Sequence, residues 1–219
     1  MNPFSINSPV IQFLAKVWDL IVLNILTVIL SLPIVTIGAA NTALHYAVDK
    51  LFAEEGTLLK NYFHSFKINF KQSTLCWLLL LVLSASSLVV LLFMEANAFS
   101  GITRIACFVC LAVCCLVFVW VFPLQSVFDN TTPAMLKNAI ICAFSWPVRS
   151  VLMAVLNLIP VIIIMAIDVG LFLKMMPLWL AGWLSICNCL CRFLLLAPMK
   201  QLKAGAREPE SGDEIPAEE

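Results

Sequence analysis

The residues of this 219-residue chain that could do chemistry are nine cysteines, two histidines and one arginine set inside an apolar run. Cys107, Cys110 and Cys114 recur at helical spacing, as do Cys187 and Cys191, and thiolates on one helix face could bind a soft metal or carry redox chemistry. Each lies in an apolar stretch with no His or carboxylate nearby, where a thiol is held protonated and makes a poor ligand and nucleophile. Small hydrophobic packing residues is the better reading, and neither a metal nor a cofactor is expected. His45 and His64 fit no HExxH arrangement, and GxSxG and GxxxxGK[ST] are missing, so no enzymatic activity is expected. Asp19, Glu95 and Asp168 fall near the ends of apolar runs, where they form no buried acid–base pair. Arg192 is the one ion placed deep in such a run. It either snorkels to headgroups or pairs with a buried group such as Asn157. Asn24, Asn157 and Asn188 are mid-run polar groups suited to helix-to-helix hydrogen bonds.

The elements that must position these residues follow from composition. Hydrophobic residues make up 62% and charged residues 12%, with thirteen cations balancing thirteen acids. A soluble domain carries about 25% charged residues, and a nucleic-acid binder is basic; this chain is neither. Five runs reach the roughly 20 residues that cross a bilayer: 17–40, 73–94, 102–121, 150–169 and 177–198. The expected fold is an all-α polytopic bundle of five spans with two cytosolic helical connections. Trp77, Trp120, Trp179 and Trp183 lie near span ends, where interfacial anchors belong.

Cation counts set the orientation. With the N-terminus outside, Lys50, Lys60, Lys67, Lys71, Lys137, Arg149, Arg192, Lys200, Lys203 and Arg207 are inner, and Lys16, Arg104 and Lys174 outer. The N-terminus is therefore expected outside and the C-terminus in the cytosol, with short outer connections at 95–101 and 170–176.

Both cytosolic connections carry helical patterns. After Gly56 and Thr57, a helix to Lys71 gathers Leu58, Leu59, Tyr62, Phe63, Phe66 and Phe70 on one arc and Lys60, His64, Lys67 and Lys71 opposite. Such a basic aromatic helix suits an anionic headgroup layer or a partner. Residues 40–52 form a second amphipathic segment with His45 and Asp49 at i, i+4 on its polar side. In the other connection Thr132 is expected as N-cap before Pro133, and the segment to Trp146 is too short to span and ends at Pro147. Leu59-Lys60-Asn61 recurs as Leu136-Lys137-Asn138, followed twelve residues after each Asn by Ser73 and Ser150, and then by Leu75 and Leu152. Leu32-Pro33 and Phe122-Pro123 precede the two copies, the pattern of a parallel internal repeat.

Ser31-Leu32-Pro33-Ile34-Val35-Thr36-Ile37-Gly38-Ala39-Ala40, then Ala43-Leu44, then Phe66-Lys67-Ile68-Asn69-Phe70-Lys71-Gln72-Ser73 resemble the YesL family of small bacterial integral membrane proteins. The resemblance runs over nearly the whole chain. It implies a Gram-positive cytoplasmic membrane protein whose relatives are often encoded beside carbohydrate-uptake genes, and it supplies no catalytic or binding residues. Physically, Pro33 should kink or end the first span, Ser31 and Thr36 can take up freed carbonyls, and Gly38 to Ala40 admit a close helix. This corner, Ser31, Leu32, Pro33, Thr36 and Gly38, is a packing turn, a hinge or the wall of a solute site. Beyond residue 203, Glu208, Glu210, Asp213, Glu214, Glu218 and Glu219 mark an acidic tail expected to be disordered in the cytosol. Two functions fit: a non-enzymatic accessory protein that binds the bilayer and a membrane permease, or a small-solute transporter or channel between the repeats.

Overall fold

In hydrocarbon every amide must find its partner within its own segment, which leaves helices as the simplest solution for so apolar a chain. The computed structural model describes residues 9–93, 98–166, 174 and 182–205, and among the described residues there are helices and turns but no strand. The helices are α1 (Pro9–Leu30), α2 (Ile37–Phe52), α3 (Leu58–Phe93), α4 (Ala98–Gln125), α5 (Thr132–Ser145), α6 (Pro147–Ala166) and α7 (Leu184–Gly205). Three stretches, Val10–Leu30, Leu58–Phe93 and Gly101–Gln125, are long and apolar enough to cross a membrane; a fourth is counted if α5 and α6, bent by 106°, form one span. The run 177–198 is described only from residue 182, and α7 is not among the helices that qualify. Glu95, Asp168 and Trp179 lie outside the described residues, as do most of the two outer connections and the tail from residue 206.

The run 17–40, expected as one span, is two helices. Pro33 has no amide to donate, and α1 stops at Leu30. Thr36 Oγ1 lies 2.5 Å from the Leu30 carbonyl and takes it up, a single 3-10 turn follows at Ile34–Thr36, and α2 then returns antiparallel to α1. At the far end of this hairpin Lys16 Nζ sits 3.0 Å from Glu54 Oε1. Lys16, expected outside, thus stands at the same end of the molecule as Lys50, expected inside, because the apolar run between them doubles back. Asp19 is at that end too, lining one hollow with Lys16 and Glu54.

α2 is the centre of the N-terminal half and touches α1, α3, α4 and α7. Its amphipathic face meets protein: Ala43, Leu44, Ala47 and Val48 pack with Leu23 and Tyr62. A Cβ at Gly38 would fall 2.4 Å from the Ser73 carbonyl oxygen and 2.7 Å from Trp77 Cβ, so glycine is required for α2 to reach α3 there. α3 runs without a break from the basic aromatic segment into the following span. Its 36 residues extend about 54 Å. The segment expected at the headgroup layer or against a partner thus points along the span, with Tyr62 and Ser65 buried, while Phe63 and Phe70 are exposed beside Lys60, Lys67 and Lys71.

The C-terminal half is built on α4. Its Trp120, Val121 and Phe122 are fully buried among Met135, Ala139, Cys142 and Met153. Trp120 is thus a core residue stacked 5.6 Å from Trp146, not an interfacial anchor. The cap of α5 is Thr131, one residue before the expected Thr132, and Pro133 falls in the first turn. Pro147 ends α5 as expected, with Trp146 at φ −126° and ψ 64°. The carbonyl of Ala143, which Pro147 cannot reach for want of an N–H, lies 3.0 Å from Ser150 Oγ, and the same hydroxyl accepts the Trp120 indole N–H at 2.7 Å.

Candidate functional site

The charged side chains of the hairpin and of α7 converge at one end of the bundle. Arg192 Nε donates to Asp49 Oδ1 at 2.7 Å, and its guanidinium carbon lies 4.7 Å from the Phe52 ring centroid. Planar charge against carboxylate and ring is the arrangement to which arginine is suited and lysine is not. The partner of Arg192 is therefore Asp49, 143 positions away, and not Asn157. Lys50 bonds Glu55, a contact that holds the lysine above its ordinary pKa and the glutamate below. His45, one turn before Asp49, is partly accessible at the same wall. Desolvation disfavours its imidazolium and pushes its pKa down to about 3, so it is neutral.

These groups line a hollow of about 460 Å³ between α2, the end of α4 and α7, into which Lys200, Lys203 and Asn188 also face. A separate void of about 10 Å³, which shares His45 and Asn188 with the hollow, is lined also by Asn41, Asn157 and Cys191. Asn157 and Asn188 donate to carbonyls of their own helices, Met153 at 2.9 Å and Leu184 at 2.8 Å, and Asn157 also makes the expected interhelical bond, to Cys191 Sγ at 3.8 Å. Asn24 also crosses between helices. Its Oδ1 accepts the Ser185 amide at 3.1 Å, near the start of α7.

A second polar cluster ties the two halves together. Ser73 Oγ donates to Gln125 Oε1 at 2.9 Å, Thr42 Oγ1 lies 2.9 Å from Ser73 Oγ, and Gln125 Nε2 points to Cys76 Sγ at 3.2 Å. Thr42, Ser73, Cys76 and Gln125 are all buried. Sequence reasoning missed Thr42 and Gln125, which carry no charge and fit no motif. The nine cysteines are free thiols, and among the described residues no three of His, Cys, Asp and Glu converge on one point. In the Ser31–Gly38 corner Thr36 supports the chain reversal and Gly38 the helix contact, while Leu32 is exposed.

Long apolar helices with apolar side chains facing outward define an all-helical membrane protein. Residues 20–92, one third of the chain, match a family described as a protein of unknown function, DUF624. The match covers α1 from Leu20, all of α2 and α3 to Leu92, and contains both stretches that carry the YesL resemblance, with which it is consistent; it does not extend over the later helices. No curated protein and no solved structure matches the chain.

Proposed function

We propose that this protein is a non-enzymatic accessory protein of the cytoplasmic membrane that docks another membrane protein through α1. The observation that carries this reading is an exposed apolar stripe beside cations. Val10, Leu14, Trp18, Ile25 and Ile29 follow one face of α1, and Trp18 is 65% exposed. The hairpin that presents them stands beside the first half of α3 and the residues just past it: Lys16 pairs with Glu54 just before α3 begins, and Trp77 Nε1 donates to the Ile34 carbonyl at 2.7 Å. That half of α3 carries Lys60, Lys67 and Lys71, and the apolar remainder, at about 1.5 Å per residue, is by itself long enough for about 30 Å of hydrocarbon.

On this reading the crossing segments are the apolar part of α3, α4, α6 and the run entering α7, and α1 does not cross. Four crossings bring both flanks to one side, which agrees with Lys16 lying by Glu54 and with Lys50 and Lys203 lining one hollow. The cations concentrated there support a cytosolic assignment of that side. An apolar helix of a partner is the natural cover for a stripe of this kind, and a carbohydrate-uptake permease is the partner class implied by the YesL resemblance. A small-solute path finds little support, since the void next to the hollow measures about 10 Å³, room for about one water. A photo-crosslinking residue at Trp18, activated in native membranes, should give a discrete protein adduct, and the same probe at Val89 should give lipid adducts. Lipid adducts alone at both positions would contradict the proposal.

A further inference from the structure

We infer that the hollow at the charged end is a binding site for a phosphate ester carrying a free hydroxyl, the chemistry of glycerol phosphate. Its wall holds four cations and two acids, and both acids are engaged: Asp49 by Arg192 and Glu55 by Lys50. Lys200 and Lys203 are exposed, three residues apart on α7, and have no ion-pair partner among the described residues. The site therefore carries a net excess of two positive charges at its lip. A second, independent feature lies deeper. Asn188 is 4% exposed, and its Oδ1 is buried with no hydrogen-bond partner among the described residues. A buried acceptor left open favours a ligand that brings a donor, which a bare phosphate dianion does not and an ester's hydroxyl does. The volume, about 460 Å³, is within the range of small-ligand pockets. Exposed Phe193 and Leu196 lie on α7 next to the hollow, so an acyl chain attached to the same headgroup has an apolar surface to follow. The ester can thus come from an anionic lipid headgroup or from a soluble molecule; the inference does not depend on what α1 docks.

The full-length protein in zwitterionic detergent, titrated by native mass spectrometry with phosphatidylglycerol, phosphatidylcholine and sn-glycerol 3-phosphate, tests this. Phosphatidylglycerol should bind in preference to phosphatidylcholine, and Lys200→Gln with Lys203→Gln should weaken it about 30-fold, at roughly 1 kcal/mol per cation. Binding of sn-glycerol 3-phosphate with the same dependence on the two lysines would assign a soluble ester; its failure beside lipid binding would assign the headgroup. Asn188→Ala should retain binding but lose any preference for phosphatidylglycerol over phosphatidic acid, whose headgroup has no hydroxyl-bearing glycerol. Equal binding of phosphatidylglycerol and phosphatidylcholine, or a double variant that binds as tightly as the parent, would overturn the inference. So would an Asn188→Ala chain that keeps the parent's headgroup preference.

Discussion

α3 and the α5–α6 pair carry the same short pattern, Leu-Lys-Asn followed twelve residues later by a fully buried serine, yet one is an unbroken helix and the other turns through 106°. The residue in register with Pro147 is Phe70, which has an amide to continue the helix. Proline removes that donor, and the two serines then take different work. Ser73 holds three helices together through Thr42 and Gln125. Ser150 closes the Ala143 carbonyl that the break exposes and accepts from Trp120. Matching sequence at a few positions thus does not specify matching backbone; one missing N–H, with a neighbour able to cover the orphaned carbonyl, is enough to separate the two.

The largest effect expected from testing this contrast is at the straight helix. Gly38→Ala puts a methyl against the Ser73 carbonyl and Trp77 Cβ, neither of which can rotate away. It should cost about 3 kcal/mol by forcing α2 off α3, seen as a lowered midpoint of unfolding in detergent; parent-like stability would mean that the backbone contact is not tight. Next comes Ser150→Ala, which leaves the Trp120 indole N–H and the Ala143 carbonyl without this partner in a buried site and should cost about 2 kcal/mol. Ser73→Ala should be the mildest, about 1 kcal/mol, because Thr42 Oγ1 already lies 3.4 Å from Gln125 Oε1 and can close on it. If Ser73→Ala proves costlier than Ser150→Ala in the same assay, the serine that covers the proline break is not the more demanding of the two.

Local breaks were readable in the sequence because their chemistry is local. Pro33 and Pro147 terminate helices, and Gly56 with φ 70° turns the chain before α3 starts directly after Thr57. The small residues after Gly38 announce a close helix contact, and one forms. The direction taken after Pro33 was not readable. An apolar run of this length meets the hydropathy criterion for a span whether it continues or doubles back, and counting cations across it presumes that it continues. Arg192 shows the same limit: its depth was evident, but Asp49 lies on another helix. The polar side of 40–52, with His45 and Asp49 at i, i+4, was the available hint, since both residues face the hollow that Arg192 lines. Thr42 and Gln125 left no signal, because a neutral buried pair is defined only by packing.

The central claim is that the α1–α2 hairpin stands on the same side of the membrane as the first half of α3 and the end of α7. Lys16, Lys60 and Lys203 report on it directly through a membrane-impermeant amine reagent, applied to sealed right-side-out and inside-out vesicles and read by peptide mass spectrometry. All three should be modified together, in inside-out vesicles only. Modification of Lys16 in right-side-out vesicles, with Lys60 and Lys203 protected there, would contradict the account.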